Sequence, residues 1–224
     1  MLTLRAVSNT FETPTGVVAP LRSVSLELAE GARVAVVGAR GAGKSTLAAV
    51  AAALRAPASG TVLLDGQDLA MLDADALARV RRRDIGVIAA DPLLCETMTV
   101  LENICVPLSG TAADREARDQ GRALLAALSL DHAQDAWPSR LASLEQRLVS
   151  VVRAFVRGPR LVVADTMGRG LAPDQAGTLT DVVVRLQQRF GAGLLMLCDH
   201  PSEAECCETR YALEDGHLSA ELRT

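Results

Sequence analysis

The stretch that decides the fold reads Gly38-Ala39-Arg40-Gly41-Ala42-Gly43-Lys44-Ser45. It matches the pattern G-x-x-x-x-G-K-S. A short Val-rich run, Arg33 to Val37, precedes it, and an Ala-rich stretch that favours a helix, Lys44 to Leu54, follows it. Strand, glycine loop and helix follow one another in the order that this motif requires. We therefore predict a loop that binds the phosphates of a nucleotide.

Each residue type in this loop has a physical role. Glycines let successive backbone N–H groups point at an anion, and the start of the helix adds its positive dipole end. Lys44, the only lysine of the chain, is expected to reach the β- and γ-phosphates, and the Ser45 hydroxyl to coordinate Mg²⁺. A plain glycine turn would not need that lysine, and a dinucleotide fingerprint would need glycine at Thr46. The predicted nucleotide contacts in the loop are Gly38, Ala39, Arg40, Gly41, Ala42, Gly43, Lys44, Ser45 and Thr46.

A second apolar run, Leu161 to Asp165, ends on an acid. Because it is apolar on both faces, it is typical of a central parallel strand. An acid at the carboxyl end of such a strand can lie beside the phosphate loop and hold the Mg²⁺ shell. We predict that role for Asp165, with a strand-end or helix-cap residue as the alternative.

Composition and charge argue against several other kinds of protein. The chain has 224 residues, of which 49% are hydrophobic and 22% charged, with a formal net charge of −4, as expected for one soluble domain or one domain with a subdomain. Aromatic residues are only 2%, so nucleic-acid binding is not expected. The longest apolar run, Leu47 to Leu54, is too short for a membrane span. Without a recognisable secretory signal, the cytoplasm is the default compartment. The five cysteines show no CxxC spacing, which favours free thiols.

With both motifs in place, the chain resembles the nucleotide-binding subunits of ABC transporters from about Arg5 to Ala220. It is most similar to the group that serves lipoprotein release, macrolide export and bacterial cell division. The stretches that carry the resemblance are Asp65 to Leu69, Arg83 to Gly86, Thr99 to Ile104 with Pro107-Leu108, Pro138 to Leu141 and Glu214 to Gly216.

The resemblance implies an α/β fold with a RecA-like P-loop NTPase core, an antiparallel β subdomain and an inserted helical subdomain. It implies one nucleotide-binding domain over residues 1–224, with a core lobe at about 1–90 and 157–224 and the helical subdomain at about 91–156. Phe11 falls where the family stacks an aromatic ring on adenine, with a buried core ring as the alternative. The implied cofactors are ATP and Mg²⁺. The implied partners are an integral membrane permease and a second nucleotide-binding subunit, which would hold the chain at the inner face of the cell membrane.

Positions that perform hydrolysis in the family carry other residues here. Thr166 replaces the Glu that deprotonates the attacking water, and a Thr hydroxyl cannot act as a base near neutral pH. Ala90 replaces the Gln that senses Mg²⁺ and water. The switch His is replaced by Asp199, because the chain reads Cys198-Asp199-His200, and the one-residue shift turns His200 to the other face of the strand. No catalytic residue is therefore intact, and the degenerate positions are Thr166, Ala90 and Asp199.

The signature that clamps the partner's γ-phosphate is also changed. Its Ser and two Gly are replaced by Ala142, Ser143 and Leu144. Ser143 with Gln146 predicts a capping box that starts a helix here. Ala172 replaces the acid of the loop that bridges to a partner subunit in the family.

These replacements leave the phosphate loop intact and remove the groups that act on water. The leading hypothesis is an ATP-binding subunit that binds Mg·ATP, hydrolyses it poorly or not at all, and works with a permease and a competent sister subunit. The first alternative is an active ATPase that powers transport as a homodimer, with Asp199 or Glu145 as a displaced acid. The second is a structural scaffold that binds no nucleotide.

Overall fold

The computed structural model describes residues 1–14, 16–108 and 114–220. Within these ranges, ten strands and six α-helices make two sheets and the helical layers beside them. The strands are β1 (Leu2–Thr13), β2 (Gly16–Leu28), β3 (Arg33–Val37), β4 (Ser59–Leu64), β5 (Gln67–Asp68), β6 (Ile85–Ile88), β7 (Leu161–Asp165), β8 (Gly193–Cys198), β9 (Thr209–Glu214) and β10 (His217–Ala220). The helices are α1 (Lys44–Ala51), α2 (Ala74–Asp84), α3 (Val100–Cys105), α4 (Asp114–Ala127), α5 (Ser143–Phe155) and α6 (Pro173–Phe190).

The larger sheet has the strand order β10-β9-β3-β8-β7-β6. Strands β3, β6, β7, β8 and β9 run parallel, and only β10 is antiparallel to its neighbour. The strands predicted at Arg33 to Val37 and at Leu161 to Asp165 are both present with those bounds. Their side chains are almost entirely buried, as continuous apolar runs in a parallel sheet should be. The loop after β3 and the acid that ends β7 therefore meet at one edge of the sheet.

The smaller sheet, β2-β1-β4-β5, is antiparallel. It packs with α1 on one face of the larger sheet around a core that includes Leu21, Val36 and Leu47. Helices α3 to α6 bury a second core that includes Val149, Phe155 and Val162. The predicted α/β class and its antiparallel sheet are confirmed.

Two local predictions are wrong in detail. Helix α1 ends at Ala51 rather than at Leu54, since Ala53 has a left-handed φ of 55° that a helix cannot continue. Helix α5 begins at Ser143, so the N-cap is Ala142 and the predicted Ser143–Gln146 capping box does not form. Instead, the Glu145 carboxylate accepts from the Ala142 N–H at 2.7 Å, which satisfies one free donor at the helix start.

Helices α3, α4 and α5 fall within the range predicted for the helical subdomain, while the division into lobes stays a prediction. In the ranges that the structure describes, no helix is both long enough and apolar enough to cross a membrane.

Candidate functional site

Two glycines of the phosphate loop are required by their surroundings. Gly43 has a φ of 109°, and a Cβ there would lie 2.1 Å from the carbonyl oxygen of Pro20. A Cβ on Gly38 would lie 2.6 Å from the carbonyl oxygen of Leu213. The loop therefore keeps its path only with hydrogen at both positions, because no heavy atom fits between it and the neighbouring backbone.

The start of α1 is open to an anion. Its N-cap, Gly43, has no side chain to bind the free N–H groups, and its first turn contains no acidic residue. Ser45 is exposed there, while the Lys44 side chain is 4% exposed. Unpaired N–H groups and the helix dipole favour negative charge at this end, so the loop fits the phosphate chain predicted for it.

Lys44 already has three partners. Its ammonium group donates to the carbonyl oxygens of Gly38 at 2.5 Å and Ala39 at 2.8 Å. Its third contact is Asp199 Oδ1, at 2.9 Å. An ammonium group has three donors, so all of them are in use. From the sequence, Asp199 was identified as the residue at the family's switch-His position and as a candidate displaced acid, but its ion pair with Lys44 was not predicted.

Asp199 is held on its other side by Arg169. The Arg169 guanidinium donates to both carboxylate oxygens of Asp199 at 3.2–3.3 Å. Partial burial alone would raise the pKa of Asp199, but hydrogen bonds and charge from Lys44 and then Arg169 outweigh it and lower that pKa. The backbone N–H of Asp199 donates to Glu203 at 3.2 Å. Lys44, Asp199 and Arg169 thus form one ion-pair chain, and its carboxylate stays ionised at neutral pH.

The end of β7 places Asp165 and Thr166 side by side. Asp165 is half-buried, and its Oδ1 accepts from the Thr166 hydroxyl at 3.3 Å. Thr166 is 2% exposed and has a φ of 43°, which is a rare conformation for a β-branched residue. Helix α1 packs against β7, so Asp165 and Ser45, the two predicted Mg²⁺ ligands, come from neighbouring elements. Both offer the oxygen atoms that Mg²⁺ prefers.

Ala90 presents only its backbone to the site. Its carbonyl oxygen accepts from Nη1 of Arg147 on α5. Arg147 also donates to the carbonyl oxygens of Met167, at 2.9 Å, and Arg169, at 2.7 Å. One guanidinium therefore joins α5, the segment after β6 and the loop after β7. Neither Arg147 nor Arg169 belongs to a motif, so no sequence signal singles them out.

The start of α5 presents no hydroxyl at the position that the family uses for phosphate. Ala142 and Ser143 are exposed, and Leu144 is half-buried. Ala172 is the N-cap of α6 and makes no side-chain cap bond. His200 is exposed and lies beyond the end of β8, so Asp199 rather than His200 contacts Lys44.

Phe11 lies on the hairpin of β1 and β2 and is half-exposed. The Arg55 guanidinium lies 4.7 Å from the centre of its ring, a distance at which a cation is attracted to the ring face. The ring is therefore not part of the core, which removes the alternative to the stacking prediction. Contact with adenine itself stays a prediction.

Comparison with known proteins places these features in a family. A model of the ABC transporter family matches residues 21–167, more than half of the chain. The macrolide export ATP-binding/permease protein MacB of Brucella melitensis is 34% identical over 97% of this chain and 34% of that protein. The methionine import ATP-binding protein MetN 1 of Burkholderia lata is 31% identical over 100% of this chain and 65% of that protein. The chain thus spans about a third of that MacB and less than two thirds of MetN 1.

Solved structures share the whole fold. The dimeric structure of MJ0796, a bacterial ABC transporter cassette, has a TM-score of 0.89 and 26% identity, with both chains covered in full. CbiO1 from Clostridium perfringens, part of the ABC transporter complex cbiONQ, has a TM-score of 0.82 and 19% identity over 97% of this chain and 86% of that chain. The resemblance to the macrolide-export group is confirmed, and by sequence and fold this chain belongs to the ABC transporter family.

Proposed function

We propose that this chain is the ATP-binding subunit of a transport complex that binds Mg·ATP and hydrolyses it poorly or not at all. The observation that carries the proposal is the contrast between a complete phosphate loop and the side chains around it. Lys44 and the glycines that shape the loop are in place. Thr166 and Ala90 supply neither a base nor a ligand for water.

The residues present suit the expected ligand. The loop from Gly38 to Thr46 would hold the phosphates, and Ser45 with Asp165 would hold Mg²⁺. The metal supplies charge neutralisation on the phosphate oxygens. Phe11 would stack on the adenine ring.

If the chain were an active ATPase, Asp199 or Glu145 would have to act as the base for water, but both carboxylates have other partners. Asp199 is paired with Lys44 and Arg169, and its pKa is lowered, which makes it a poorer base. The Glu145 carboxylate binds the Ala142 N–H at 2.7 Å. These contacts weigh against the alternative in which the chain hydrolyses ATP alone as a homodimer.

The docking surface that we propose for a permease is a groove of about 570 Å³ between α2 and α5. Leu93 and Leu54 lie on its wall and are 69% and 61% exposed. Arginines add positive charge to the same wall: Arg81, Arg82, Arg83, Arg153 and Arg157. Apolar side chains among arginines suit a short amphipathic helix with acidic residues. We assign this groove to the cytoplasmic segment of a permease, which would keep the chain at the inner membrane face.

A competent sister subunit completes the proposal. In the family's head-to-tail dimer, each pocket combines one subunit's loop with the other's signature. The changed signature at Ala142 would weaken the partner's pocket, and the absence of a base at Thr166 would weaken its own. Binding alone can still act, because a ligand that prefers the closed dimer shifts the population toward it.

The test is phosphate release by the detergent-extracted complex, captured through a tag on this chain, with Arg5→Ala as a matched loss of an exposed cation. We expect Lys44→Ala to lower turnover of the complex, because nucleotide held here supports closure. The chain alone should release phosphate at background rate. Lys44-dependent release by the chain alone would contradict the proposal and support the homodimer.

One observation favours the scaffold alternative, namely that Lys44 has all three donors occupied. Equilibrium binding of ATP to the full chain decides between the two. A dissociation constant below about 1 mM excludes the scaffold. No binding at that concentration, together with unchanged turnover in Lys44→Ala, would support it.

A further inference from the structure

The carboxylate of Asp199 lies where two cations meet. Lys44 Nζ is 2.9 Å from Asp199 Oδ1, and Arg169 Nη2 is 3.3 Å from the same atom. The two cations thus lie side by side on one carboxylate, an arrangement that an anion with several oxygens, such as a phosphate, can also satisfy. In this chain the anion is an internal side chain.

The position of Asp199 follows from the sheet. Strand β8 is the parallel neighbour of β3, and the Gly38 N–H donates to the Cys198 carbonyl at 3.2 Å. The first residue after β8 is therefore carried directly to the beginning of the phosphate loop. Lys44 can contact a phosphate only if it gives up one of its three acceptors. Two of these are backbone carbonyls of the loop itself, and Asp199 is the only one on a separate side chain.

We propose that Asp199 determines nucleotide specificity: its carboxylate competes with the terminal phosphate of a nucleoside triphosphate for Lys44, and so weakens ATP relative to ADP. This inference rests on the proposed function, because it concerns the same nucleotide site. Arg169 already binds both oxygens of the carboxylate, so Asp199 would keep one cation when a phosphate takes its place on Lys44.

The competition is selective for the triphosphate. The inner phosphates of a nucleotide are held by backbone N–H groups of the loop and the start of α1, which Asp199 does not occupy. A triphosphate carries an additional negative charge, and a terminal phosphate bound to Lys44 would lie next to the Asp199 carboxylate, whose Oδ1 is 2.9 Å from the Lys44 ammonium group. Like charges at short distance repel strongly where water is partly excluded. Asp199 therefore acts on ATP more than on ADP.

The experiment is calorimetric titration of the full chain with Mg·ADP and with a non-hydrolysable Mg·ATP analogue. The variants are Asp199→Asn, which removes the charge and keeps the shape, and Asp199→Ser, which serves if the first does not fold by circular dichroism. The matched control is Asp181→Asn, since Asp181 lines the same cleft of about 730 Å³ as Asp199 but has no ion pair with Lys44.

We expect the Asp199 variants to bind the ATP analogue at least about tenfold more tightly, as expected when a charge-assisted bond no longer has to be broken. ADP affinity should change by less than about threefold. The control should leave both affinities unchanged. If native and variant chains bind both nucleotides with the same ratio of affinities, the specificity inference is wrong while the proposed function stands. If no chain binds either nucleotide, both fail.

Discussion

The phosphate loop and the ends of strands β7 and β8 lie at the same edge of the sheet, yet different forces hold them. The loop is fixed by backbone: Gly43 and Gly38 pass so close to neighbouring carbonyls that a Cβ would collide. The strand ends are fixed by side-chain charge, through the ion-pair chain of Lys44, Asp199 and Arg169. Steric constraints tolerate almost no substitution, whereas charge contacts can be exchanged for others.

This difference bears on the proposal that the chain binds ATP but hydrolyses it poorly. The loop depends on the absence of side chains, and its geometry survives as long as the glycines do. The proposed loss of hydrolysis depends instead on two side chains at the strand ends, Thr166 and Asp199. Both stand in an otherwise complete sheet.

The largest loss of stability is expected for a substitution in the phosphate loop. Gly43→Ala should lower the free energy of unfolding by about 3 kcal/mol or more, because a Cβ would meet the Pro20 carbonyl and φ is positive. Gly41→Ala is the matched control, since its φ is also positive but nothing lies within 4 Å of its Cβ, and it should cost only about 1 kcal/mol. Urea unfolding measures both, and equal losses would show that the clash is relieved by a small movement.

The next largest loss of stability is expected at Arg147, which binds the segments that follow β6 and β7. Arg147→Ala should lower the free energy of unfolding by about 2 kcal/mol, because three carbonyl oxygens lose a charged donor. Arg140→Ala, an exposed arginine just before α5, should change it by less than about 0.5 kcal/mol. A loss no greater than that of the control would mean that water replaces the guanidinium at little cost.

A smaller effect, dependent on pH, is expected from Asp199. Its carboxylate contacts Lys44 on α1 and Arg169 after β7, while its backbone N–H donates to the carboxylate of Glu203 after β8. A lowered pKa means that the folded protein favours the ionised form, so the stabilisation is present above the ordinary aspartate pKa of about 3.9 and is lost as the pH falls through the folded value.

At pH 7 the native chain should therefore be more stable than Asp199→Asn by about 1 kcal/mol. Urea unfolding from pH 7 down to pH 3.5 should show this gap narrowing at the acid end. A gap that stays constant across the range would assign it to packing rather than to charge.

The smallest effect is expected when the family's base is restored. Thr166→Glu should change phosphate release by the full chain less than about tenfold, because groups that act as a unit contribute little when the others are missing. Ala90 would still offer no side-chain ligand for water or Mg²⁺, and Ala142 would offer no hydroxyl for a phosphate. Thr166→Gln is the matched control without a base. A rise of about 100-fold with Glu but not with Gln would show that the rest of the machinery is intact.

The elements set by local pattern could be predicted from the sequence. The bounds of β3 and β7 agree with the structure because each is a continuous apolar run between polar residues. The start of α1 was predicted by the loop motif. Its end was not, because the left-handed turn at Ala53 lies in an Ala-rich stretch that favours helix throughout.

The ion-pair chain could not be predicted because its members are far apart in sequence. Arg169 lies 30 residues before Asp199, and they meet only because β7 and β8 are parallel neighbours. The sequence identified Asp199 as a departure from the family at the position of its switch His. Its contact with Lys44 depends on the path of the chain just after β8. The hydrophobic pattern of the sequence does not predict that path.

The arginines on α5 have a mechanical consequence. Arg147 binds the carbonyl of Ala90, while Arg153, six residues later on the same helix, binds those of Pro92 and Leu93 at 2.7 and 2.8 Å. Because the segment from Ala90 to Leu93 is bound to α5 at two points, it cannot rotate about either point alone. We therefore expect a displacement of Leu93 to move α5 as a whole rather than to bend the segment from Ala90 to Leu93.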